Sequence, residues 1–129
     1  MTDDTPHWIP SAARVAAAQL TGFHAFARNR GAPAGDYLAL GQWSVDEPTA
    51  FWSAVFDCTG VIADRGPGPV LRDGERMPGA TWFAGTRLNF AENLLRGTGV
   101  GPAIIARDEC GRRRELSWDQ LRAEIARVA

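Results

Sequence analysis

The stretch DEPTAFWSAVFDCTG, residues 46–60, carries the clearest structural signal in the chain. Asp46 is a residue type that caps helices, and Pro48 follows at a position where a missing backbone N–H is harmless. One helical face then carries Phe51, Trp52, Val55, Phe56 and Thr59. Gly60 stands where helices favour a C-terminal glycine. Together these features predict an amphipathic helix that ends at Gly60.

Two helical segments are predicted on the N-terminal side of this helix. Ser11 is a capping residue type, and apolar side chains recur at helical spacing through residues 12–30. Thr21-Gly22 could divide this stretch into two helices, because glycine costs about 1 kcal/mol in a helix interior. After a connector of glycine, alanine and proline, Asp36 is expected to cap a second, shorter segment.

The chain that follows residue 60 is expected to be irregular. Residues 61–81 are rich in glycine and proline, which disfavour regular structure. Trp82 and Phe83 place two large rings in this loop, so the loop must pack against another part of the molecule. A short helix is predicted over residues 88–95.

The C-terminal residues have a different pattern. Residues 103–106 and 112–116 are interpreted as two strands joined by a turn that contains glycine. Ser117-Trp118-Asp119-Gln120 then matches a capping box, and the helix that it opens continues to Ala129 without a stop signal. The predicted fold is therefore mainly α with long irregular loops, followed by a β-hairpin and a helix that begin a truncated α/β unit.

Composition and charge exclude several classes of function. The 129 residues include 15 acidic side chains and 14 strong cations, all of them arginine, for a net charge of −1. This balance argues against nucleic-acid binding, which needs a basic field. The absence of lysine excludes a Gly-Lys-Ser/Thr phosphate loop, a Schiff-base lysine and a lysine general base from this chain. No apolar run approaches the roughly 20 residues of a membrane span.

Isolated reactive side chains do not form a recognisable site. Cys58, Cys110, His7 and His24 lack the spacing of metal ligands, so no metal site is expected. Met1–Asp4 is acidic, which does not match the basic start of a signal peptide, and two cysteines do not make a disulfide framework. We therefore expect a cytoplasmic protein with free thiols.

Three polar or glycine-rich clusters have structural interpretations. Arg112–Arg114 would point to alternate faces of a strand, which favours solvated hairpin charges over a phosphate or nucleic-acid contact. The glycines of residues 66–68 and 97–101 lack the strand–loop–helix order of a phosphate loop, so both stretches are interpreted as loops. Helix capping and hydrogen bonds to a nearby loop are favoured over catalysis for Asn89, Glu92 and Asn93.

Several strings in the chain are familiar as a set. They are Trp8-Ile9-Pro10-Ser11, Asp36-Tyr37 with Leu40 and Trp43-Ser44, Phe51-Trp52 with Val55-Phe56-Asp57, Pro78-Gly79-Ala80 with Trp82-Phe83, Leu88 to Leu95, and Leu116-Ser117-Trp118 with Leu121. With these strings the chain resembles the N-terminal portion of the acetoacetyl-CoA synthetase (acetoacetate–CoA ligase) family. That family is close to acetyl-CoA synthetase in the adenylate-forming acyl-CoA ligase superfamily. Phe90 and Ala84 are mild departures, where Tyr and Pro are common in the family.

The resemblance implies a two-step reaction for the full-length enzyme. A carboxylic acid and ATP, assisted by Mg²⁺, give an acyl-adenylate and pyrophosphate, and coenzyme A then displaces AMP. The resemblance also implies an N-terminal cap region in residues 1–100. Residues 101–129 would be the first hairpin and helix of an incomplete AMP-binding domain. No catalytic, cofactor-binding or metal residue of the family has a matching position in this chain, so none is expected here.

The expected function is that of the N-terminal fragment of an acetoacetate–CoA ligase in lipid metabolism, inactive by itself. Its expected partner is the missing remainder of the ligase, with no nucleic acid and no membrane involved. The resemblance implies that this contact is made through Trp82, Phe83, Leu88 and Leu95. The alternative is a free-standing protein-interaction module derived from the same region, with its exposed aromatic surface as the interface.

Overall fold

The computed structural model describes residues 6–128 of the chain. The acidic segment Met1–Asp4 and the last residue, Ala129, lie outside the described residues. The described residues form α1 (Ala12–Ala16), α2 (Gln19–Arg28), α3 (Tyr37–Asp46), α4 (Pro48–Thr59), β1 (Leu71–Arg72), β2 (Thr81–Trp82), α5 (Phe90–Leu94), β3 (Pro102–Arg107), β4 (Arg113–Ser117) and α6 (Trp118–Val128). The predicted fold class, mainly helical with a hairpin and a helix at the C-terminal side, is confirmed.

The described chain divides into two compact units. The first unit runs to Val61 and resumes at Arg65–Thr86, and the second unit comprises Ile62–Asp64 and the residues from Arg87 onward. The second unit includes its early segment because Asp64 and Arg87 exchange backbone hydrogen bonds, at 2.8 and 2.9 Å. The boundary predicted at residue 100 concerns the domains of the full-length family enzyme, and it stays a prediction.

The N-terminal helical stretch breaks earlier than its glycine suggested. Ser11 caps α1 as predicted, since its side chain accepts a hydrogen bond from the N–H of Arg14 at 3.3 Å. The chain then becomes extended at Ala18, so the break expected at Thr21-Gly22 is wrong, and Gly22 lies inside α2. The Thr21 hydroxyl donates to the carbonyl of Val15 at 2.6 Å, which ties the first turn of α2 to the end of α1.

The first unit is organised around the ring of Phe51 on α4. This ring makes edge-to-face contacts with Phe23 of α2 and Trp43 of α3, each at a centroid distance of 5.7 Å. The buried core beside it is small and consists of Ala27, Ala32, Leu40, Trp43 and Ala54. Because α4 packs against both α2 and α3, the helix predicted most clearly from the sequence is also the centre of this unit.

The ends of α3 and α4 are set by backbone-directed capping. Asp36 caps α3 as predicted, accepting from the N–H groups of Leu38 and Ala39 at 3.0 and 3.1 Å. Asp46 does not cap α4 as predicted. It is the last residue of α3, where its carboxylate accepts from the Gln42 side chain, and Glu47 precedes Pro48 at the N-cap position. Gly60 ends α4 in the left-handed conformation (φ 60°), as predicted.

The second unit contains the predicted hairpin and its following helix. β3 and β4 pair antiparallel, and the Asp108 carboxylate closes their turn by accepting from the N–H groups of Cys110 and Arg112. The capping box is confirmed, since Ser117 and Gln120 each accept, through the side chain, a hydrogen bond from the other's backbone N–H. α6 then packs against both strands.

This unit leaves much apolar surface uncovered. Neighbouring strand residues point to opposite faces of a sheet, yet Ile104 is 42% exposed and Ile105 is 50% exposed. A two-stranded hairpin is marginal by itself because it has few cross-strand neighbours. Among the described residues, no large side chain is fully buried, and no helix is long and apolar enough to cross a membrane.

Two glycine-to-alanine substitutions are expected to have opposite effects. A Cβ at Gly22 would meet no atom within 4 Å, so Gly22→Ala should stabilise α2 by about 0.5–1 kcal/mol. A Cβ at Gly97 would lie 2.5 Å from the Trp118 ring, so Gly97→Ala should displace that ring and destabilise the second unit. Urea titration followed by circular dichroism at 222 nm measures both. Equal midpoints for the two variants would contradict this packing.

Candidate functional site

Four aromatic rings of the first unit form a continuous surface on α4. Trp52 and Phe56 lie four residues apart and therefore share one helical face. Trp82 meets Trp52 edge to face at a centroid distance of 5.8 Å, and Phe83 meets Phe56 at 4.9 Å. We call these four residues the aromatic surface. The sequence indicated that the Trp82-Phe83 loop must pack against another part of the molecule, and α4 is the element that both rings contact.

The backbone at Phe83 explains how two consecutive rings can reach the same helix. Consecutive side chains of an extended strand point in opposite directions. Phe83 instead has φ 47°, a left-handed conformation that is uncommon for a residue with a side chain. Its N–H donates to the Val70 carbonyl at 2.7 Å and its carbonyl accepts from the Thr86 N–H at 2.9 Å. These bonds hold the turn that directs both rings to α4.

Gly66 and Gly68, in the glycine- and proline-rich stretch, pack against the backbone that follows Phe83. A Cβ at Gly68 would lie 1.9 Å from the Ala84 carbonyl oxygen, and one at Gly66 would lie 2.4 Å from the carbonyl oxygen of Gly85. Two backbone segments therefore pass at a distance that only glycine permits. These glycines allow close backbone packing, and the interpretation of this stretch as a loop is confirmed.

Arg65 joins α4 to the loop and was not singled out from the sequence. Its guanidinium donates to Asp57 Oδ1 at 3.0 Å and to Ser53 Oγ at 2.7 Å. The same group lies 5.1 Å from the Phe56 ring centroid and 5.9 Å from the Phe83 ring centroid. Arg65 therefore combines hydrogen bonding with cation–π contact. An arginine directly before glycine and proline carries no local signal for such a role.

The four residues expected to pack against the rest of a ligase are distributed over both units. Trp82 and Phe83 belong to the first unit, where Trp82 is 43% exposed and Phe83 is half-buried. Leu88 and Leu95 belong to the second unit, where Leu88 is 52% exposed and Leu95 is half-buried. Each unit thus presents apolar surface from this set of residues.

The polar cluster of α5 has a structural role, as predicted. Asn89 caps α5 by accepting from the N–H of Glu92 at 3.2 Å. Asn93 accepts from the Ile62 N–H and donates to the Ile62 carbonyl, both at 2.8 Å. A side-chain amide thereby pairs with one backbone residue as a neighbouring strand would. This contact fixes Ile62 within the second unit.

Arg122 is a second residue that sequence reasoning missed. Its guanidinium donates to the carbonyls of Leu95 and Gly97, at 3.1 and 2.9 Å, and to Asp119 Oδ1 at 2.6 Å. It therefore satisfies carbonyl groups at the C-terminal end of α5 from a position on α6. The apolar periodicity of α6 gave no indication of this, because Arg122 simply follows Leu121 on the helix.

The isolated reactive groups do not converge. Cys58 and Cys110 are exposed free thiols. His24 lies with Nε2 3.4 Å from the Pro33 carbonyl, and His7 is exposed. Across residues 6–128, no group of three or more His, Cys, Asp or Glu side chains is arranged to hold a metal ion. The expectation that the chain carries no catalytic, cofactor-binding or metal residue stays a prediction.

The basic cluster on the hairpin is largely paired. Arg112 forms an ion pair with Asp108 at 2.8 Å, and Arg113 forms one with Glu115. Arg113 and its neighbours are exposed. Ion pairs at this exposure contribute little net energy, in keeping with the predicted solvated hairpin charges.

Comparison with known proteins places these features in a family context. A family model described as the acetyl-coenzyme A synthetase N-terminus matches residues 37–94. The acetoacetyl-coenzyme A synthetase of Rhizobium meliloti (strain 1021) is 42% identical over 129 residues, which are 99% of this chain and 20% of the relative. A malonamoyl-CoA synthetase of Penicillium aethiopicum is 35% identical over 98 residues, covering 70% of this chain and 14% of the relative.

A solved structure agrees with the sequence matches. Acetoacetyl-CoA synthetase from Streptomyces lividans superposes with a TM-score of 0.83 at 42% identity, covering 95% of this chain and 20% of that chain. The resemblance drawn from the motifs is therefore confirmed. The chain spans about a fifth of the length of the Rhizobium and Streptomyces proteins.

The aromatic surface should depend on close approach at Gly68. A methyl group there would overlap the Ala84 carbonyl oxygen, so Gly68→Ala should move the loop and separate Trp82 from Trp52. Gly41→Ala is the matched control in the same unit, because a Cβ at Gly41 meets no atom within 4 Å. Fluorine NMR of the 5-fluorotryptophan protein, assigned by single Trp→Phe variants, should show shifted Trp52 and Trp82 resonances for Gly68→Ala alone. Unchanged resonances would refute the close approach.

Proposed function

We infer that this chain, which corresponds to the N-terminal portion of the acetoacetyl-CoA synthetase family, contributes that portion to an AMP-forming acid–CoA ligase and is inactive by itself. The observation that carries the inference is the match along 99% of this chain to only 20% of the Rhizobium relative. The function of the chain is then to complete a larger enzyme by packing against it.

In this proposal ATP, Mg²⁺ and coenzyme A are not assigned to residues of this chain. The chain has no lysine to act on an adenylate. The described residues offer no set of three or more carboxylate, histidine or cysteine side chains placed for a cation, and Gly66 and Gly68 lie in close backbone contact with the Ala84-Gly85 segment. In the proposed enzyme these cofactors would be held by the remainder of the ligase. No catalytic step is assigned to residues of this chain.

The exposed apolar residues support packing against the remainder. Trp82 and Leu88 keep about half of their surface in water, and burying a large apolar side chain contributes roughly 1.5–3 kcal/mol. Phe83, next to Trp82, and Leu95, at the end of α5, are half-buried and add further apolar surface to the two units. The proposed partner surface is the part of the ligase that follows this portion in the relatives.

The acid substrate and the location follow from the relatives as proposals. The names of the Rhizobium and Streptomyces proteins favour acetoacetate as the acid, which would place the enzyme in lipid metabolism. Two exposed thiols without a disulfide fit a reducing compartment, and we propose the cytoplasm.

A free-standing interaction module is the second candidate. The exposed Trp52–Trp82 pair favours it, because tryptophan is enriched among the residues that dominate protein interfaces. The two candidates differ in whether the chain is stable before it meets a partner. A module must fold independently, whereas a portion of a ligase gains its stability from the whole.

Activity should require the rest of a ligase. We expect no acetoacetate-dependent formation of AMP and pyrophosphate from ATP, Mg²⁺ and CoA by this chain alone. A chimera in which the chain replaces the matching fifth of the Streptomyces lividans synthetase should be active.

Trp82→Ala with Phe83→Ala in the chimera should lower kcat/KM by roughly tenfold. Met77→Ala is the control, since Met77 is 97% exposed and has no proposed contact. Turnover by the isolated chain, or an inactive chimera, would contradict the proposal.

Unfolding distinguishes the two candidates. The isolated chain should unfold over a broad range of urea, with tryptophan emission already partly red-shifted in buffer, because its core is small and its apolar surface is open. The same residues in the chimera should unfold cooperatively. A sharp transition of the isolated chain, with blue-shifted emission before it, would instead favour the interaction module.

A further inference from the structure

The aromatic surface combines an unfavourable backbone conformation with exposed rings. Phe83 adopts φ 47°, which L-residues other than glycine, asparagine and aspartate seldom adopt. Such conformations persist only where the surrounding structure over-determines them, and they concentrate at functional sites. The question is therefore which residue holds Phe83, and with it Trp82, against α4.

Arg65 contacts both sides of this arrangement. On α4 it donates hydrogen bonds to Asp57 and Ser53, at 3.0 and 2.7 Å, one helical turn apart. Its guanidinium also lies near the rings of Phe56 and Phe83, which come from the helix and from the loop. One planar cation thus spans the junction between helix and loop.

The Asp57 carboxylate, which accepts from Arg65, also forms an ion pair with a second arginine. Asp57 Oδ2 lies 3.7 Å from Arg30 Nε, and the Arg30 guanidinium lies 3.7 Å from the Phe26 ring centroid. The chain of contacts runs from the end of α2, through Asp57, to the loop. Each ion pair is more than a third exposed and therefore weak as a source of stability. What the network does supply is a defined geometry for the guanidinium.

We propose that Arg65 is a positioning residue that holds Trp82 and Phe83 on α4 so that the Trp52–Trp82 pair is already oriented for the remainder of the ligase. This inference rests on the proposed function. It adds that Arg65 determines how strongly the Trp52–Trp82 pair binds the remainder of the ligase. A surface that is ordered before binding loses less side-chain and loop entropy when it binds. Loss of the Arg65 contacts should therefore weaken binding to the remainder of the ligase more than it lowers the stability of the fold.

Lysine cannot replace arginine in this role. A lysine ammonium keeps the charge, but it lacks the planar fork that donates to two groups while stacking on rings. Arg65→Lys therefore tests geometry at constant charge. Arg72→Lys is the matched control. It makes the same chemical change in the same unit, at an exposed position on β1.

The first measurement is made on the chain within the chimera with the Streptomyces lividans synthetase, because the chain is expected to unfold cooperatively there. Fluorine NMR of the 5-fluorotryptophan protein should show broadened or shifted Trp52 and Trp82 resonances in Arg65→Lys, and an unchanged Trp118 resonance. Arg72→Lys should leave all of them unchanged. Wild-type positions of Trp52 and Trp82 in Arg65→Lys would overturn the proposal.

The second measurement uses the chimera with the Streptomyces lividans synthetase. Arg65→Lys should lower kcat/KM by roughly tenfold, the size expected when one more large side chain must be ordered on docking. In the Trp82→Ala background the same substitution should have almost no further effect, because Arg65 acts through that ring. Full, additive losses in the two backgrounds, or unchanged activity, would mean that Arg65 has only a structural role.

The two measurements distinguish a failure of the proposed function from a failure of the positioning role of Arg65. If the wild-type chimera is inactive, the proposed function fails, and the fluorine spectra still decide whether Arg65 positions the rings. If the chimera is active and Arg65→Lys leaves its activity unchanged, the proposed function stands and the positioning role is rejected. Arg65→Ala is not needed for either decision, so a variant that fails to fold does not affect the outcome.

Discussion

Helix α4 is packed on two sides by aromatic rings, and the first unit depends on this arrangement. Phe51 contacts the rings of Phe23 and Trp43 and so joins α4 to α2 and α3. Trp52 and Phe56, on the adjoining face, receive the loop rings. Aromatic side chains bury large areas and add edge-to-face attraction, so one short helix can organise a unit whose fully buried residues are mostly alanines.

The second unit relies on side chains that bond to the backbone. Asn93 pairs with Ile62, Asp108 closes the hairpin turn and Arg122 satisfies carbonyls at the end of α5. These bonds fix the path of the chain, but they supply little burial, and Ile104 and Ile105 stay half exposed. Polar bonds of this kind define geometry at a modest net gain in free energy.

The functional interpretation follows from what the chain contains and from what its relatives add. Its family match is specific, while its length corresponds to about a fifth of those relatives. The chain contains no lysine, and Gly66 and Gly68 pack closely against the backbone of Ala84 and Gly85. What the described residues do offer is an exposed pair of tryptophans, Trp52 on α4 and Trp82 on the loop that packs against it. Such a surface supports the docking role that we propose.

The sequence by itself determined the elements whose signals are local. Capping at Ser11 and Asp36, the glycine that ends α4 and the capping box of α6 were all predicted, because each depends on residues within one helical turn. The aromatic and polar strings also indicated the family. The break in the N-terminal helix was predicted at Thr21-Gly22 and lies at Ala18. The hydrogen bond from the Thr21 hydroxyl to the Val15 carbonyl joins α2 to α1, and the helix penalty of a single glycine is small by comparison with such contacts.

Only the tertiary structure decided the candidate site. Arg65 and Ser53 are twelve positions apart, and Arg122 reaches carbonyls more than twenty positions away. The left-handed turn at Phe83 and the close passage at Gly68 likewise depend on segments that meet through folding. No periodicity or local propensity encodes such contacts, because their energy arises between parts of the chain that are distant in sequence. The sequence therefore specified most of the helices and indicated the family, and the folded chain specified which side chains contact the aromatic surface and the loop that carries it.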